Sequence, residues 1–399
     1  MYFKGLLMFK IQTLNQISTT GLQEFPASNY EIGNEVANPD AILVRSANLH
    51  DYSFPPSVKV VGRAGAGVNT IPVETLTRHG IPVLNTPGAN ANAVRELVLA
   101  GMLMASRNIC QALNYIGHLQ TTEMDKQIEQ DKKQFVGYEL LGKTLAVVGL
   151  GSVGVKVANA AISLGMHVIG YDPTITIHRA WELSSEVKQA HNFDEVLSQA
   201  DFVTFHVPLN DKTKNMLNTQ RLALLKNGVV ILNFARDGIL EAAAVEAGLK
   251  SKKIFAYVTD FPSPALANHP NVISLPHLGA STREAEENCA VMIVKAVRDF
   301  LEQGTINNSV NFPAIMMPPG SGYRLLVTNA NVPNMVAQIS SVLARAKLNI
   351  VSLLNQSRDQ IACTLIDVNA EISAAVIAEM GEIEGVIHAR QIISPGASG

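Results

Sequence analysis

Cysteine is scarce in this chain: Cys110, Cys289 and Cys363 are its complement in 399 residues. An odd, scattered set excludes a disulfide framework, and it lacks the close spacing of a metal site. Charge of one sign is lacking too. The formal net charge is -3, so bulk electrostatics calls for neither nucleic acid nor an anionic membrane. Long apolar runs are absent, and nothing reaches the roughly 20 residues of a spanning helix. The opening MYFKGLLMFK is too short for a secretory apolar core and is followed by no cleavage-like segment. These absences predict a soluble, cytoplasmic protein with reduced thiols, with Met8 as an alternative start. What is present is apolar mass. Hydrophobic residues make up 47% and charged residues 16%, the balance of a well-cored globular chain long enough for two or three domains.

Short apolar runs alternate with helical patterns from the start. AILVRSA (41–47), VKVVGRAG (58–65) and IPVLNTPG (81–88) read as buried parallel strands, and ANAVRELVLAGMLMASR as a long buried helix. The polar segment 121–135 reads as an exposed helix or linker. The rhythm then restarts with TLAVVGLG, MHVIGYDP, DFVTFHVPL, GVVILNFARDG, IFAYVTDF and NVISLPHLGA. Six strand candidates separated by helices suit a doubly wound dinucleotide-binding sheet. A long helix follows from Ser281, with Ser281 and Glu284 as a capping box and Gly304 as its stop. NNSVNFPAIMMPPGSG reads as a Pro/Gly-rich linker, and the remainder as a ferredoxin-like βαββαβ unit. The expected fold is α/β: two doubly wound parallel-sheet domains, flavodoxin-like and Rossmann, plus that small C-terminal domain.

GLGSVG, Gly149 to Gly154, joins the strand TLAVV to a helix. Gly149 permits the tight turn, Gly151 lets a pyrophosphate approach the backbone, and Gly154 allows close helix–strand packing. The N–H groups of the helix start then face the phosphates. The next strand ends in Asp172, whose carboxylate suits ribose hydroxyls and repels a 2′-phosphate, favouring NAD over NADP. Arg179, a few residues on, would soften that preference.

With LVRSA (43–47), VGRAGAGVN (61–69), NTPGAN (85–90), GLGSVG (149–154), HVPL (206–209), NFARDG (233–238) and LPHLGAS (275–281) in order, the chain resembles the D-isomer-specific 2-hydroxy acid dehydrogenase family. Within it the likeness runs to the branch that acts on 3-phospho-D-glycerate. The resemblance implies oxidation of that acid to 3-phosphohydroxypyruvate with hydride transfer to NAD, the first step of serine biosynthesis. It implies a discontinuous substrate-binding domain (1–107 and 284–312) and an NAD-binding Rossmann domain (108–283), with the catalytic cleft between them. After a linker (313–322) it implies an ACT-like regulatory domain (323–399). It also implies a homodimer or homotetramer.

By resemblance Arg236 is the catalytic arginine, binding the substrate carboxylate and polarising the C2 oxygen with a charge that does not titrate near neutral pH. His277 is the general acid/base. The family glutamate behind that histidine is missing, and Pro264 stands in its place. Asp260 is then either the aspartate near the nicotinamide or the residue that orients His277. The cofactor set implied is Gly149, Gly151, Ser152, Val153, Gly154, Asp172, His206, Val207, Pro208, Phe234, Ala235, Arg236, Asp260, His277, Gly279 and Ala280. Arg45 and Arg63 match arginines that face a substrate phosphate. Ser46 joins them, and Gly65, Ala66, Gly67 and Val68 offer N–H groups to the carboxylate, with Arg95 as a further positive charge. In the C-terminal unit, Asn329, Asn331 and Asn349 keep half of a serine-sensing motif, which leaves feedback by an amino acid such as serine level with a purely structural role. Two other readings remain: a dehydrogenase or reductase of another 2-hydroxy or 2-keto acid, and a non-enzymatic NAD-sensing corepressor. No metal is implied.

Overall fold

The computed structural model describes residues 8–266, 268–318, 320 and 322–392. The chain forms two compact units, 1–89 with 286–399, and 90–285.

The first unit holds a five-stranded parallel sheet in the order β2-β1-β3-β4-β5. Its strands are β1 (Phe9–Leu14), β2 (Tyr30–Gly33), β3 (Ala41–Val44), β4 (Val60–Arg63) and β5 (Val83–Leu84). β3 is buried along its whole length, because both faces are covered, as a parallel sheet requires. Ile42 and Val44 join Val61, Leu76 and Val83 on one side. Leu43 joins Ile293, Val294 and Val297 of the helix Arg283–Gln303 on the other. Gly62 makes that contact close: a Cβ there would lie 2.8 Å from Ile293 and 2.9 Å from Val297.

The C-terminal βαββαβ segment belongs to the same unit. It forms a four-stranded antiparallel sheet, β14-β15-β13-β16, from β13 (Tyr323–Ala330), β14 (Ile350–Arg358), β15 (Ile361–Val368) and β16 (Val386–Ile392). One face packs on its own helices through Leu325, Val327, Ile339, Leu343, Ile366 and Met380. The other face is covered along β13 and β15, while β14 stays largely exposed. Leu326, Cys363, Leu365 and Ile392 merge into the core that holds Phe9, Ile11, Phe300 and Phe312. Gly304 ends the long helix at φ +69, and a Cβ there would meet Leu365 at 2.9 Å. Glycine is therefore required twice over, for the left-handed turn and for the close approach. A buried pair fastens the seam. Arg324 and Asp367, 6% and 3% exposed, are joined at 2.7 and 2.9 Å, and the guanidinium also donates to the carbonyls of Gln303, Met317 and Pro318. The expected linker is thus packed where it is described: Phe312, Ile315 and Met317 are buried.

The second unit carries a seven-stranded parallel sheet, β12-β11-β10-β9-β6-β7-β8. Its strands are β6 (Thr144–Val148), β7 (His167–Tyr171), β8 (Lys188–Gln189), β9 (Phe202–Phe205), β10 (Val229–Asn233), β11 (Ile254–Thr259) and β12 (Val272–Ser274). The strand order reverses between β6 and β9, where open α/β sheets take their ligands.

Several expectations need correction. The helix Ala91–Ser106 was expected with the N-terminal domain but lies in the second unit, where Val94, Val98 and Met102 share a core with Leu145, Leu232 and Phe234. β1 and β2 were not anticipated, nor was the two-residue β8. The long helix is capped by Thr282, whose hydroxyl accepts from the Ala285 N–H at 3.1 Å, rather than by the Ser281–Glu284 box. Segment 121–135, by contrast, is exposed and helical as expected, with the helix Met124–Asp131 and a 3₁₀ turn, Lys132–Phe135. Among the described residues, no helix is long and apolar enough to cross a membrane. The ends of the chain, 1–7 and 393–399, lie outside the described residues.

Candidate active site

At the switch point Gly149 sits at φ +92 and donates its N–H to the Tyr171 carbonyl at 2.8 Å. A Cβ on it would lie 2.6 Å from the His206 carbonyl oxygen, so the turn and the HVPL segment touch through backbone. A Cβ on Gly154 would lie 1.9 Å from Gly149 O, whereas one on Gly151 would meet nothing within 4 Å. The first and third glycines are therefore needed for packing, and the second leaves open space over the start of the helix Ser152–Ser163. That is the cradle a pyrophosphate requires. Asp172 accepts from the Leu150 N–H at 2.9 Å and the Thr174 N–H at 2.8 Å, so it also holds the turn in shape. Arg179 reaches the turn itself: its guanidinium donates to Ser152 Oγ at 2.7 Å and to Glu182 at 2.6 Å.

The neighbouring residues divide by backbone and side chain. His206 Nε2 lies 3.0 Å from the Thr204 hydroxyl, and burial pushes the imidazole pKa down to about 3. The ring is neutral at physiological pH and serves structure. Val207 packs at Gly149, and the Pro208 carbonyl accepts from Thr213. Val153 is half-buried beside the turn. Phe234 is a core residue, 6% exposed, against the helix Ala91–Ser106 at Gly101. Only its backbone is available to a ligand.

Arg236 is exposed just past β10. Its loop is held by Asn233, the last residue of that strand and 2% exposed. The Asn233 side chain accepts from Ala235 N at 3.2 Å and donates to Arg236 O at 2.9 Å. Asn233 was not singled out from the sequence. The signal was an amide closing an otherwise apolar strand.

His277 is exposed and left-handed, with φ +50, a conformation that costs a non-glycine residue on the order of 1 kcal/mol. Asp260 holds it there. The Asp260 carbonyl accepts the His277 N–H at 3.0 Å, and the carboxylate accepts the Gly279 N–H at 2.8 Å. The imidazole itself meets the Phe261 ring, with centroids 4.8 Å apart. Among the described residues no carboxylate hydrogen-bonds that imidazole. Asp260 thus shapes the loop and does not orient the ring, and Pro264 is exposed in a turn. Burial pushes the Asp260 carboxyl pKa up, while the Gly279 N–H, the His277 charge and the Arg236 charge pull it back. One buried carboxyl therefore feels both Arg236 and His277. Its Oδ1 is buried without a hydrogen-bond partner. A buried acceptor left unpaired costs free energy, and a ligand bringing an amide N–H beside it would remove that cost. The glycine cradle and this acceptor both fit a nicotinamide dinucleotide. Ala280 is half-buried in the same loop.

In the first unit the loop after β4 is tied by its carbonyls. Gly65 O accepts from Thr86 N, Ala66 O from the Asn85 side chain, Gly67 O from Arg63, and Val68 O from Ile71 N. The N–H groups of Ala66, Gly67 and Val68 have no acceptor among the described residues. Consecutive unpaired N–H groups with fixed carbonyls form an anion-receptive concavity. Arg63 also donates to Arg45 O at 3.2 Å, so its guanidinium buttresses the loop. Arg45 lies 2.7 Å from Glu286, a carboxylate absent from the sequence reading. Ser46 is exposed, and its N–H is held by Asn15. In the second unit, Arg95 pairs with Glu96 at 3.3 Å. In the C-terminal sheet Asn329 is buried with its Oδ1 unpartnered. Asn331 donates to Asp359 O at 3.0 Å, and Asn349 is exposed beside Asn369. Among the described residues no cluster could hold a metal.

Residues 99–279 match the family model described as D-isomer specific 2-hydroxyacid dehydrogenase, NAD binding domain. A D-3-phosphoglycerate dehydrogenase of Haemophilus influenzae is 32% identical over 405 residues, covering 97% of this chain and 95% of that protein. One from Methanocaldococcus jannaschii is 37% identical over 294 residues, covering 71% of this chain. The chain spans only 54% of that archaeal relative's length. Among solved structures, a glyoxylate reductase from Paecilomyes thermophila superposes with a TM-score of 0.64 at 25% identity, covering 76% of this chain and 98% of that one.

Proposed function

The chain belongs to the D-isomer-specific 2-hydroxyacid dehydrogenase family, and from that premise we propose that it oxidises 3-phospho-D-glycerate to 3-phosphohydroxypyruvate. The observation that supports the chemistry is that two paired strands end side by side: Asn233 of β10, which holds the Arg236 loop, pairs with Thr259 of β11, and Asp260 just after it accepts the His277 N–H at 3.0 Å. An acid/base and a fixed cation are thereby carried at one edge of the sheet. We assign His277 to take the C2 hydroxyl proton and Arg236 to bind the substrate carboxylate and steady the charge developing on the C2 oxygen. NAD, when bound, accepts the hydride released from C2. Asp260 and Asn233 hold the two catalytic loops. Asp172 and the turn from Gly149 to Gly154 receive the dinucleotide, and Arg179 adds a charge at Ser152. The loop from Gly65 to Val68 receives the substrate carboxylate, and Arg45 its phosphate, with Arg63 supporting both. With proton and hydride both leaving the same carbon–oxygen unit, the balance is one acid and NAD in, one keto acid, NADH and a proton out.

The test is NADH oxidation with 3-phosphohydroxypyruvate beside hydroxypyruvate and 2-oxoglutarate. His277→Ala should lower kcat by about 10²- to 10⁴-fold. Activity surviving in that variant would move the acid/base role elsewhere. A second reading, an unphosphorylated acid as substrate, is favoured by the carboxylate of Glu286 on Arg45. It predicts equal or better turnover of hydroxypyruvate.

We also propose a homo-oligomer, supported by apolar side chains left exposed on the helix Ile109–His118: Ile109, Leu113 and Ile116. Sedimentation should give at least a dimer. Three unpaired cysteines suit the reducing cytoplasm. For the C-terminal module the shared core supports a structural role. Serine at Asn329, Asn331 and Asn349 is the regulatory alternative, and calorimetric titration with serine separates the two.

A further inference from the structure

Arg45 already has an anion. Its Nη2 lies 2.7 Å from Oε1 of Glu286, and the two side chains are 30% and 45% exposed. Arg45 follows β3, and Glu286 stands in the first turn of the helix Arg283–Gln303. One turn further along that helix, the Cys289 thiol feels the charges of Arg45, Arg63 and Glu286 together. These groups therefore form one electrostatic neighbourhood of two cations and one carboxylate. Within it the roles differ. Arg63 spends hydrogen bonds on the carbonyls of Arg45 and Gly67. Arg45 instead projects its guanidinium to a partner on a partly exposed, rotatable side chain. Such a pair opens at small cost, because solvent screens it and both chains regain freedom.

We propose that Glu286 is a specificity-determining residue: an internal counter-ion that the distal anion of the substrate must displace from Arg45. This rests on the reading that Arg45 receives a phosphate. A phosphate dianion brings more charge and three acceptor oxygens, so it displaces a single carboxylate. An uncharged hydroxymethyl end cannot, and leaves the pair closed. Specificity is a difference between affinities, and a built-in competitor weakens a ligand that must displace it while leaving one that need not untouched. Glu286 thereby holds down the affinity of the site for a distal anion and narrows its preference for the phosphorylated acid, a preference that Glu286→Gln widens.

Two measurements test this on the full-length protein. The first compares KM for 3-phosphohydroxypyruvate and hydroxypyruvate in wild type, Glu286→Gln, Arg45→Ala and the double variant. Glu286→Gln should raise the ratio of the hydroxypyruvate KM to the phosphorylated KM by about three- to tenfold, the change falling on KM rather than kcat. In the Arg45→Ala background the same substitution should do nothing, because the charge it competes for is gone. The second uses inorganic phosphate as a competitor against hydroxypyruvate. Its inhibition constant should tighten by about the same factor in Glu286→Gln and should depend on salt. Unchanged phosphate inhibition in Glu286→Gln overturns the counter-ion role. So does an equal effect with and without Arg45. If wild type shows no preference for the phosphorylated acid and Glu286→Gln still gains phosphate affinity, the counter-ion role stands and the substrate assignment falls. Glu286→Ala, which cannot hydrogen-bond Arg45, should repeat the glutamine result. A result peculiar to glutamine would also refute the proposal.

Discussion

Removing the Asp367 carboxylate is the sharpest test of how the C-terminal sheet is held. Asp367 meets Arg324 through two parallel bonds, and both side chains are almost fully buried. In Asp367→Ala the guanidinium keeps the carbonyls of Gln303, Met317 and Pro318 but loses its counter-charge. An uncompensated buried charge costs about 3–5 kcal/mol. With a denaturant slope of about 2–3 kcal/mol per molar urea, the unfolding midpoint should drop by about 1–2.5 M. Urea titration by circular dichroism reads this directly. The charge-free pair Arg324→Met with Asp367→Leu should recover most of the loss, because desolvating two ions offsets much of what their attraction returns. A loss below about 1 kcal/mol in Asp367→Ala would show that water reaches the pair and that the seam is held elsewhere.

Gly154→Ala places a Cβ 1.9 Å from Gly149 O and forces the turn open. NADH affinity by fluorescence titration should fall at least about tenfold, and an unchanged Kd would refute the packing role of that glycine. Asp172→Ala removes the acceptor of the Leu150 N–H and the charge facing a 2′-phosphate. The preference for NADH over NADPH should fall by about tenfold or more, measured as the ratio of the two dissociation constants. His206 is neutral in the fold, with its pKa near 3 against an ordinary 6.5. The unfolded chain binds the extra proton, so this contribution is complete above pH 6.5 and is lost progressively as pH falls towards 3. The slope should stay below about 1 kcal/mol per pH unit, since the ring is partly open to solvent. His206→Asn should flatten the dependence of the urea midpoint between pH 7 and pH 5, and an unaltered slope would assign the loss to other groups.

The second sheet was legible because its strands are continuous apolar runs ended by functional turns: TLAVV before Gly149, GVVILN before Arg236, NVISLP before His277. Such runs state both burial and direction. β1 was missed for a physical reason. In FKIQTL the buried and half-buried positions alternate, and lysine and glutamine at the half-buried positions dilute the apolar run. The helix Ala91–Ser106 was recognised but attached to the wrong neighbours, because an apolar face does not name the surface it covers. The site shows the same division. Motif residues were found from their spacing, whereas Glu286 acts on Arg45, a partner that only folding brings near; Asn233 and Thr282 act on backbone two or three residues on, a role their side chains share with many amides and hydroxyls in loops. For Asp260, sequence left open two roles, and backbone geometry gave a third, as the clasp on the His277 loop. The C-terminal βαββαβ pattern was clear, but its second apolar face, Leu326, Cys363 and Leu365, was invisible, since Thr364 and Asp367 interrupt the apolar residues of β15 and neither face stands out.

That shared core has a consequence for how the chain is born. Residues 90–285 form a complete unit from one continuous stretch, whereas the other unit is assembled from 1–89 and 286–399. During synthesis the N-terminal strands emerge first yet lack the helix Arg283–Gln303 that covers one face of their sheet. The inserted unit can close while they wait. Only when β13 and β15 leave the ribosome can Leu326 and Leu365 complete the core around Phe9 and Phe300. A nascent chain that has emerged to about residue 310 would therefore carry a finished central unit and an unfinished, adhesive first one, the species that chaperones are built to shield.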